Sequence, residues 1–163
     1  MKSVISFPFI ILLGIIFNSC QESIVAPDKQ VVQIYFKYGY KNVLNTFDNI
    51  YQKDLVLDGT ITVNFWLTSE EQNRILQKAA EINFFSMPDL FETDSTQHIS
   101  DDPGPQKLRM QFNDEDNTVV WRYPLDYNNP QVQNLIALNY LIVSIIEAKP
   151  EYKKLPQGRG GYW

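Results

Sequence analysis

The first regular pattern along the chain is an alternation of apolar and polar residues between positions 31 and 38. An alternation with period two is typical of a β-strand that buries one of its faces. A turn at residues 39–42 follows, and residues 43–47 are predicted to continue as a short second strand. Residues 48–53 show no clear pattern.

Two hairpins are predicted further along the chain. Asp58-Gly59 lies between runs with strand-like composition, residues 53–57 and 60–67. Asp-Gly favours a two-residue hairpin turn, because both turn residues need a positive φ angle. The runs 107–112 and 118–123 alternate in the same way, which predicts a second hairpin with its tip at residues 113–117.

Two helices complete the pattern. Thr68 with Glu71 three residues later has the spacing of a capping box, so the first helix is predicted to run from Thr68 to about Asn83. Asn129 followed by Pro130 is typical of a helix start, and the second helix is predicted to end near Lys149. This order of elements predicts an α+β domain over residues 31–149. We expect an antiparallel sheet of about four to six strands, with both helices packed on one face.

The first twenty residues have the composition of a secretion signal. Lys2 precedes the apolar run Val4–Phe17. A helix over this run would span about 21 Å, which is less than the ~30 Å hydrocarbon core of a membrane. Residues 1–19 are therefore predicted to be a cleaved signal peptide rather than a retained transmembrane helix.

The segment Phe17-Asn18-Ser19-Cys20 resembles the lipobox of bacterial lipoproteins, in which the cysteine after the cleavage site is lipidated. The resemblance implies that acyl chains on Cys20 hold the protein on a membrane. Residues 20–30 would then be a polar tether. Gln21, rather than Asp, after the cysteine favours an outer-membrane address over the cell membrane in a cell with two membranes, facing the periplasm or the exterior.

The composition of the chain limits the kinds of partner and bond that can be expected. The chain carries a net charge of −5 and a single cysteine. Nucleic-acid binding needs clustered Lys and Arg, so a nucleic-acid partner is not expected. A lone cysteine cannot form a disulfide within the chain. Nothing in the sequence predicts a cofactor.

Few residues have the chemistry of a catalytic centre. His98 is the one histidine, and it lies in the predicted loop 89–106, where we interpret it as an exposed loop residue. Acidic residues cluster at 101–102 and 114–116. Carboxylates in a loop can be ligands for Ca²⁺, but the tip of a hairpin also needs polar residues. We interpret the acidic residues as turn residues and do not expect a metal site. An envelope hydrolase that uses loop carboxylates remains the alternative to a non-catalytic protein.

The face of the sheet that points away from the helices is the predicted ligand site. Its aromatic and cationic residues suit an anionic or carbohydrate ligand, through stacking and charge-assisted hydrogen bonds. The simpler interpretation is that Trp66 is covered and that the basic residues pair with acids. The candidate ligand-binding residues are Tyr35, Trp66, Arg109 and Arg122.

Residues 150–163 form a tail whose prolines and glycines argue against a helix, although it carries several aromatic residues. Two interpretations are open. The tail is either a latch that packs Tyr152 and Leu155 on the domain, or a peptide that docks on a partner by adding to a sheet edge.

The chain as a whole is similar to small uncharacterised bacterial lipoproteins. The segments that carry the resemblance are residues 53–59, 67–68, 83–88, 151–156 and 160–162. The resemblance implies a lipid-anchored envelope protein and no particular activity. We expect a binding or inhibitory module with an envelope protein or a glycan as its partner. A structural or assembly subunit of an envelope complex is a further alternative.

Overall fold

A computed structural model of the chain describes residues 31–91 and 101–162. The strands are β1 Gln33–Tyr38, β2 Asn42–Asn45, β3 Ile50–Asp54, β4 Thr60–Asn64, β5 Leu90–Phe91, β6 Gln106–Phe112 and β7 Glu115–Trp121. The helices are α1 Ser69–Glu81, α2 Pro130–Ala148 and α3 Pro150–Lys153, and a 3₁₀ turn covers Phe84–Ser86.

The strands form one sheet in the order β4-β3-β2-β1-β6-β7-β5. All neighbours are antiparallel except β5, which lies parallel to β7. The predicted α+β class with an antiparallel sheet and two main helices is confirmed. The sheet has seven strands rather than four to six. The strand that the sequence did not predict is β5, which lies in the predicted loop 89–106. β3 covers residues 50–54 rather than the predicted run 53–57, and its buried Lys53 obscures the alternation there.

One face of the sheet holds the core. Inward residues lie opposite one another across the central strands, as in the pairs Phe36–Leu44, Phe36–Leu108 and Leu108–Val119. Both long helices pack on this face, and α2 buries six residues there. Its length and mean hydropathy of 1.2 also fit a membrane span. Only 39% of that apolar stretch is buried, but its buried residues belong to the core of the domain, which is consistent with the predicted core helix.

Both predicted helix starts are confirmed. The Thr68 hydroxyl accepts a hydrogen bond from the Glu71 N–H at 3.2 Å, and the Glu71 carboxylate accepts from the Thr68 N–H at 2.7 Å. These two bonds complete the capping box. At α2, the Asn129 side chain accepts from the Gln131 N–H, and Pro130 occupies the first turn.

The predicted two-residue turn at Asp58-Gly59 is wrong. The loop between β3 and β4 spans residues 55–59, with positive φ at Val56 and Gly59 rather than at Asp58. The Leu57 N–H donates to the Arg159 carbonyl, and the Arg159 N–H donates to the Leu55 carbonyl, both at 3.2 Å. The loop backbone is therefore paired in part with the C-terminal tail and in part across the loop, where the Leu55 N–H donates to the Gly59 carbonyl at 2.8 Å.

The second hairpin is tighter than predicted. Phe112 lies opposite Glu115, so Asn113 and Asp114 alone form the turn, and Asn113 has a φ of 55°. Asn tolerates this conformation better than most residues. Asp116 therefore belongs to β7 and not to the tip.

The prediction that the tail is not helical is wrong for its first residues. The short helix α3 follows α2 directly after Lys149. Beyond α3 the chain lies along the β3–β4 hairpin, and we call residues 155–162 the C-terminal latch. Leu155 is buried in the core, and the Tyr162 hydroxyl donates to the Asp54 carboxylate, with oxygen separations of 2.7 and 2.9 Å. Tyr162 also stacks on Tyr40, with ring centres 3.6 Å apart. These contacts support the latch interpretation.

The latch runs close to the hairpin loop. Gly160 has a φ of +84°, and a Cβ at this position would lie 2.8 Å from the Leu57 side chain. The backbone conformation therefore favours glycine, and any larger residue would also push the exposed Leu57 side chain aside. Arg159, the residue before Gly160, forms an ion pair with Asp58.

Candidate functional site

Two of the predicted ligand-binding residues are neighbours on the solvent face of the sheet. Tyr35 on β1 lies directly opposite Arg109 on β6. The Lys107 ammonium group lies 5.5 Å from the centre of the Tyr35 ring, and the Arg109 guanidinium lies 5.0 Å from the centre of the Phe47 ring. Cations and aromatic rings therefore do alternate on this face.

Arg109 already has a partner. Its Nε and Nη2 donate to the two oxygens of Asp116 at 3.0 and 2.5 Å. The hydrogen bonds from Arg109 lower the pKa of the Asp116 carboxyl. An anionic ligand would have to displace this carboxylate to reach the guanidinium, which weakens the case for anion binding here.

The other two candidates lie elsewhere. Arg122 follows the end of β7 and donates to the Asp102 carboxylate at 3.0 Å. Trp66 is 57% exposed and follows the edge strand β4, so β3 and β2 lie between it and the strand of Tyr35. The structure thus brings Tyr35 and Arg109 together but does not gather the four residues into one site.

A cavity of about 310 Å³ lies between the inner face of the sheet and α2. This volume is at the lower end of the range for small-molecule sites. The sheet and the segments that follow it supply Phe36, Tyr38, Gly39, Trp121, Tyr123 and Tyr127, and α2 supplies Ile136, Asn139, Tyr140 and Val143.

Three exposed tyrosines are the most distinctive part of this lining. Tyr123, Tyr127 and Tyr140 are 36%, 56% and 72% exposed. Alternation through the predicted strand 118–123 would place Tyr123 on the inner face with Trp121, but β7 ends at Trp121, and the alternation ends with it. None of the ten lining residues is charged. The cavity therefore offers aromatic faces and hydroxyl groups to an uncharged ligand.

Unpaired polar atoms accompany this lining. Trp121 is 1% exposed, and its Nε1 has no hydrogen-bond partner among residues 31–91 and 101–162. The buried Oδ1 of Asn139 likewise has none. Leaving such a group unpaired costs about 1–3 kcal/mol, so each one calls for an explanation.

Tyr38 is the lining residue whose hydroxyl has a shifted pKa. Burial raises its pKa, and the neighbouring Tyr51, whose hydroxyl is 2.7 Å away, raises it further. Burial also raises the pKa of Tyr51, which donates to Asn42 at 3.3 Å. Both hydroxyls stay protonated at neutral pH. They therefore act as hydrogen-bonding groups beside the cavity and not as bases.

The carboxylates do not converge. Across the two described ranges, no three His, Cys, Asp or Glu side chains are grouped closely enough to hold a metal ion. Asp116 pairs with Arg109, and Asp102 accepts from both Arg122 and the Gly104 N–H. His98 and Cys20, the predicted lipidation site, lie outside the described residues.

Sequence reasoning did not identify the cavity, although a weak signal for part of it exists. Ile136, Asn139, Tyr140 and Val143 recur at spacings of three and four, so they share one side of α2. Asn139 interrupts an otherwise apolar stretch, and Tyr140 adds an exposed aromatic. Trp121 and Phe36 come to the same place only through the pairing of β1, β6 and β7. A comparison of the chain with known protein families, characterised proteins and solved structures found no match to any of them.

Proposed function

We propose that this protein is a lipid-anchored module of the bacterial cell envelope that binds a small uncharged ligand without transforming it. The observation that carries the proposal is the cavity beneath α2, which combines three exposed tyrosines with a lining free of charged side chains. Exposed aromatic residues around a concave site are typical of ligand binding. The lipobox resemblance at Cys20 supports the address.

The character of the lining favours binding over catalysis. Its polar groups are tyrosine hydroxyls, the indole N–H of Trp121 and the amide of Asn139. These groups form hydrogen bonds at neutral pH but do not provide a general base or a strong nucleophile. The solvent face is the less favoured binding surface, because Arg109 and Arg122 are engaged with carboxylates.

The anchor is tested by the intact mass of the protein isolated from membranes of its native host. We expect a chain that begins at Cys20 and carries added acyl mass. The Cys20→Ala variant should lack that added mass, because no other residue is predicted to carry a lipid. An unmodified wild-type chain in the soluble fraction would contradict the anchor and leave the cavity proposal intact.

The cavity is tested by ligand-observed NMR with a library of uncharged ring-containing fragments. Tyr127→Ala and Tyr140→Ala should each reduce the affinity for the tightest-binding fragment about fivefold to tenfold, because each removes an aromatic face at the cavity. Both side chains are exposed, so neither change should disturb the core. Trp66→Ala is the matched control, because it removes an equally exposed aromatic residue away from the cavity.

The two surfaces give opposite results in this experiment. Fragments that lose affinity only in Trp66→Ala or Arg109→Ala would move the site to the solvent face and contradict the cavity. Loss confined to the two tyrosine variants assigns the site to the cavity.

A further inference from the structure

Unpaired buried polar atoms concentrate at one place in the fold. Within residues 31–91 and 101–162, four buried side-chain atoms have no hydrogen-bond partner. Two of them, Trp121 Nε1 and Asn139 Oδ1, belong to residues that line the cavity. A third, Gln106 Oε1, belongs to the residue directly opposite Trp121 across β6 and β7. The fourth, Lys53 Nζ, lies over the Tyr152 ring.

Gln106 does not line the cavity, but its side-chain amide is bonded to a residue that does. Its Nε2 donates to the carbonyl of Gly39, the lining residue, at 3.1 Å, and to the Gly104 carbonyl at 2.8 Å. The side chain is 1% exposed and cannot turn towards solvent without losing these bonds. The region around the cavity therefore holds one unused donor and two unused acceptors among apolar surfaces.

This set of groups has a definite chemical complement. The indole N–H needs an acceptor, and the amide oxygens need a donor. A secondary amide supplies a carbonyl acceptor and an N–H donor side by side, without charge. When a methyl group is attached to its carbonyl, it also has an apolar end that suits Ile136 and Val143.

We infer that the cavity binds an acetamido sugar, with the acetamido group next to Trp121 and Asn139 and the sugar ring against the exposed tyrosines. The inference deepens the proposed function and rests on it. Sugar rings present C–H groups that pack on aromatic faces, and their hydroxyls pair with tyrosine hydroxyls. Because both unpaired atoms are sequestered from solvent, side chains that line the cavity must shift to admit the ligand.

The test compares N-acetylglucosamine with glucose, which carries a hydroxyl where the first sugar has its acetamido group. Binding is measured by saturation-transfer NMR and by titration of chemical shifts on the domain. N-acetylglucosamine should bind at least tenfold more tightly than glucose, with the strongest transfer at its acetyl methyl group. Asn139→Leu, which keeps the size of the side chain but removes its amide, should reduce that preference to less than threefold.

A second measurement separates a binding role of Asn139 from a structural one. The unliganded Asn139→Leu variant should melt at the wild-type temperature or above it, because the change removes an unpaired polar atom. A lower melting temperature would show that Asn139 has a structural partner and would overturn its assignment. Trp66→Ala again serves as the control for sugar binding.

The remaining outcomes distinguish this inference from the proposed function. Equal affinity for the two sugars would overturn the acetamido assignment. Binding of neutral aromatic fragments at the tyrosines, with no binding of either sugar, would also overturn it. The cavity would keep its proposed function in both cases. If neither sugars nor fragments bind in a manner that depends on Tyr127 and Tyr140, both proposals fail.

Discussion

Deletion of Leu155–Trp163 is expected to lower the free energy of unfolding by about 3–5 kcal/mol. Leu155 is 8% exposed, and burial of a leucine side chain contributes about 1.5–3 kcal/mol. The two backbone hydrogen bonds between Arg159 and the 55–59 loop add about 1 kcal/mol each. The exposed Arg159–Asp58 pair is left out of this figure, because exposed pairs contribute little.

Urea unfolding followed by circular dichroism measures this loss. Lys154→Ala is the matched control, because Lys154 is an exposed residue just before the latch, and it should change stability by less than about 0.5 kcal/mol. A truncated chain with wild-type stability would show that the latch contacts contribute nothing. If that chain also failed to bind an envelope partner, the docking interpretation of the tail would replace the latch.

The second large effect is expected at Glu71, which joins the start of α1 to the end of α2. Its carboxylate closes the capping box and accepts a hydrogen bond from Lys149 Nζ at 2.9 Å. The side chain of Lys149 is only 11% exposed. Glu71→Ala should lower the free energy of unfolding by about 2–4 kcal/mol, because it removes the cap and leaves the lysine charge partly buried without its partner.

The same contact predicts a dependence on pH. Burial by itself raises the pKa of Glu71, but hydrogen bonds from Lys149 and Thr68 outweigh it, and the pKa is lowered from 4.5. The folded state therefore favours the charged carboxylate. The contribution of Glu71 is complete above pH 4.5 and is lost as the pH falls through the lower pKa of the folded state.

Two variants separate the charge from the cap. Glu71→Gln keeps a side chain that closes the box, so it should lose only the part of the stability that depends on Lys149. Its stability should also decline less than that of wild type as the pH falls below 4.5. Glu81→Gln removes the exposed pair with Lys78 and is the control, with little expected effect. A Glu71→Gln variant with the pH profile of wild type would contradict the coupling between the two helices.

The elements that the sequence predicted well are those defined by neighbouring residues. The capping box at Thr68 and the Asn129-Pro130 start depend on side chains that reach only two or three positions along the chain. The alternation in β1 and β6 likewise reports which face is buried, whatever the strands pair with. Because these signals involve only neighbouring residues, the sequence alone contains the information needed to recognise them.

The errors arose where distant parts of the chain meet. Asp58-Gly59 did not form the turn that its composition favours, because the tail supplies backbone partners for Leu55 and Leu57 from a hundred residues away. β3 was placed at residues 53–57 instead of 50–54, because Lys53 is buried under the Tyr152 ring, which no local pattern reveals. The predicted solvent-face site also depended on strand order, and that order separates Trp66 from Arg109.

By itself the sequence determined the class of fold and the faces of its main strands and helices, because each of these follows from composition or from short-range periodicity. The lipid anchor at Cys20 stays a prediction from the resemblance to the lipobox. The tertiary structure alone decided which residues share a site. The cavity joins β1, β7 and α2, and its unpaired donor and acceptors come from residues far apart in the chain. Their proximity is set by sheet register and helix packing, which are properties of the whole fold and not of any single segment.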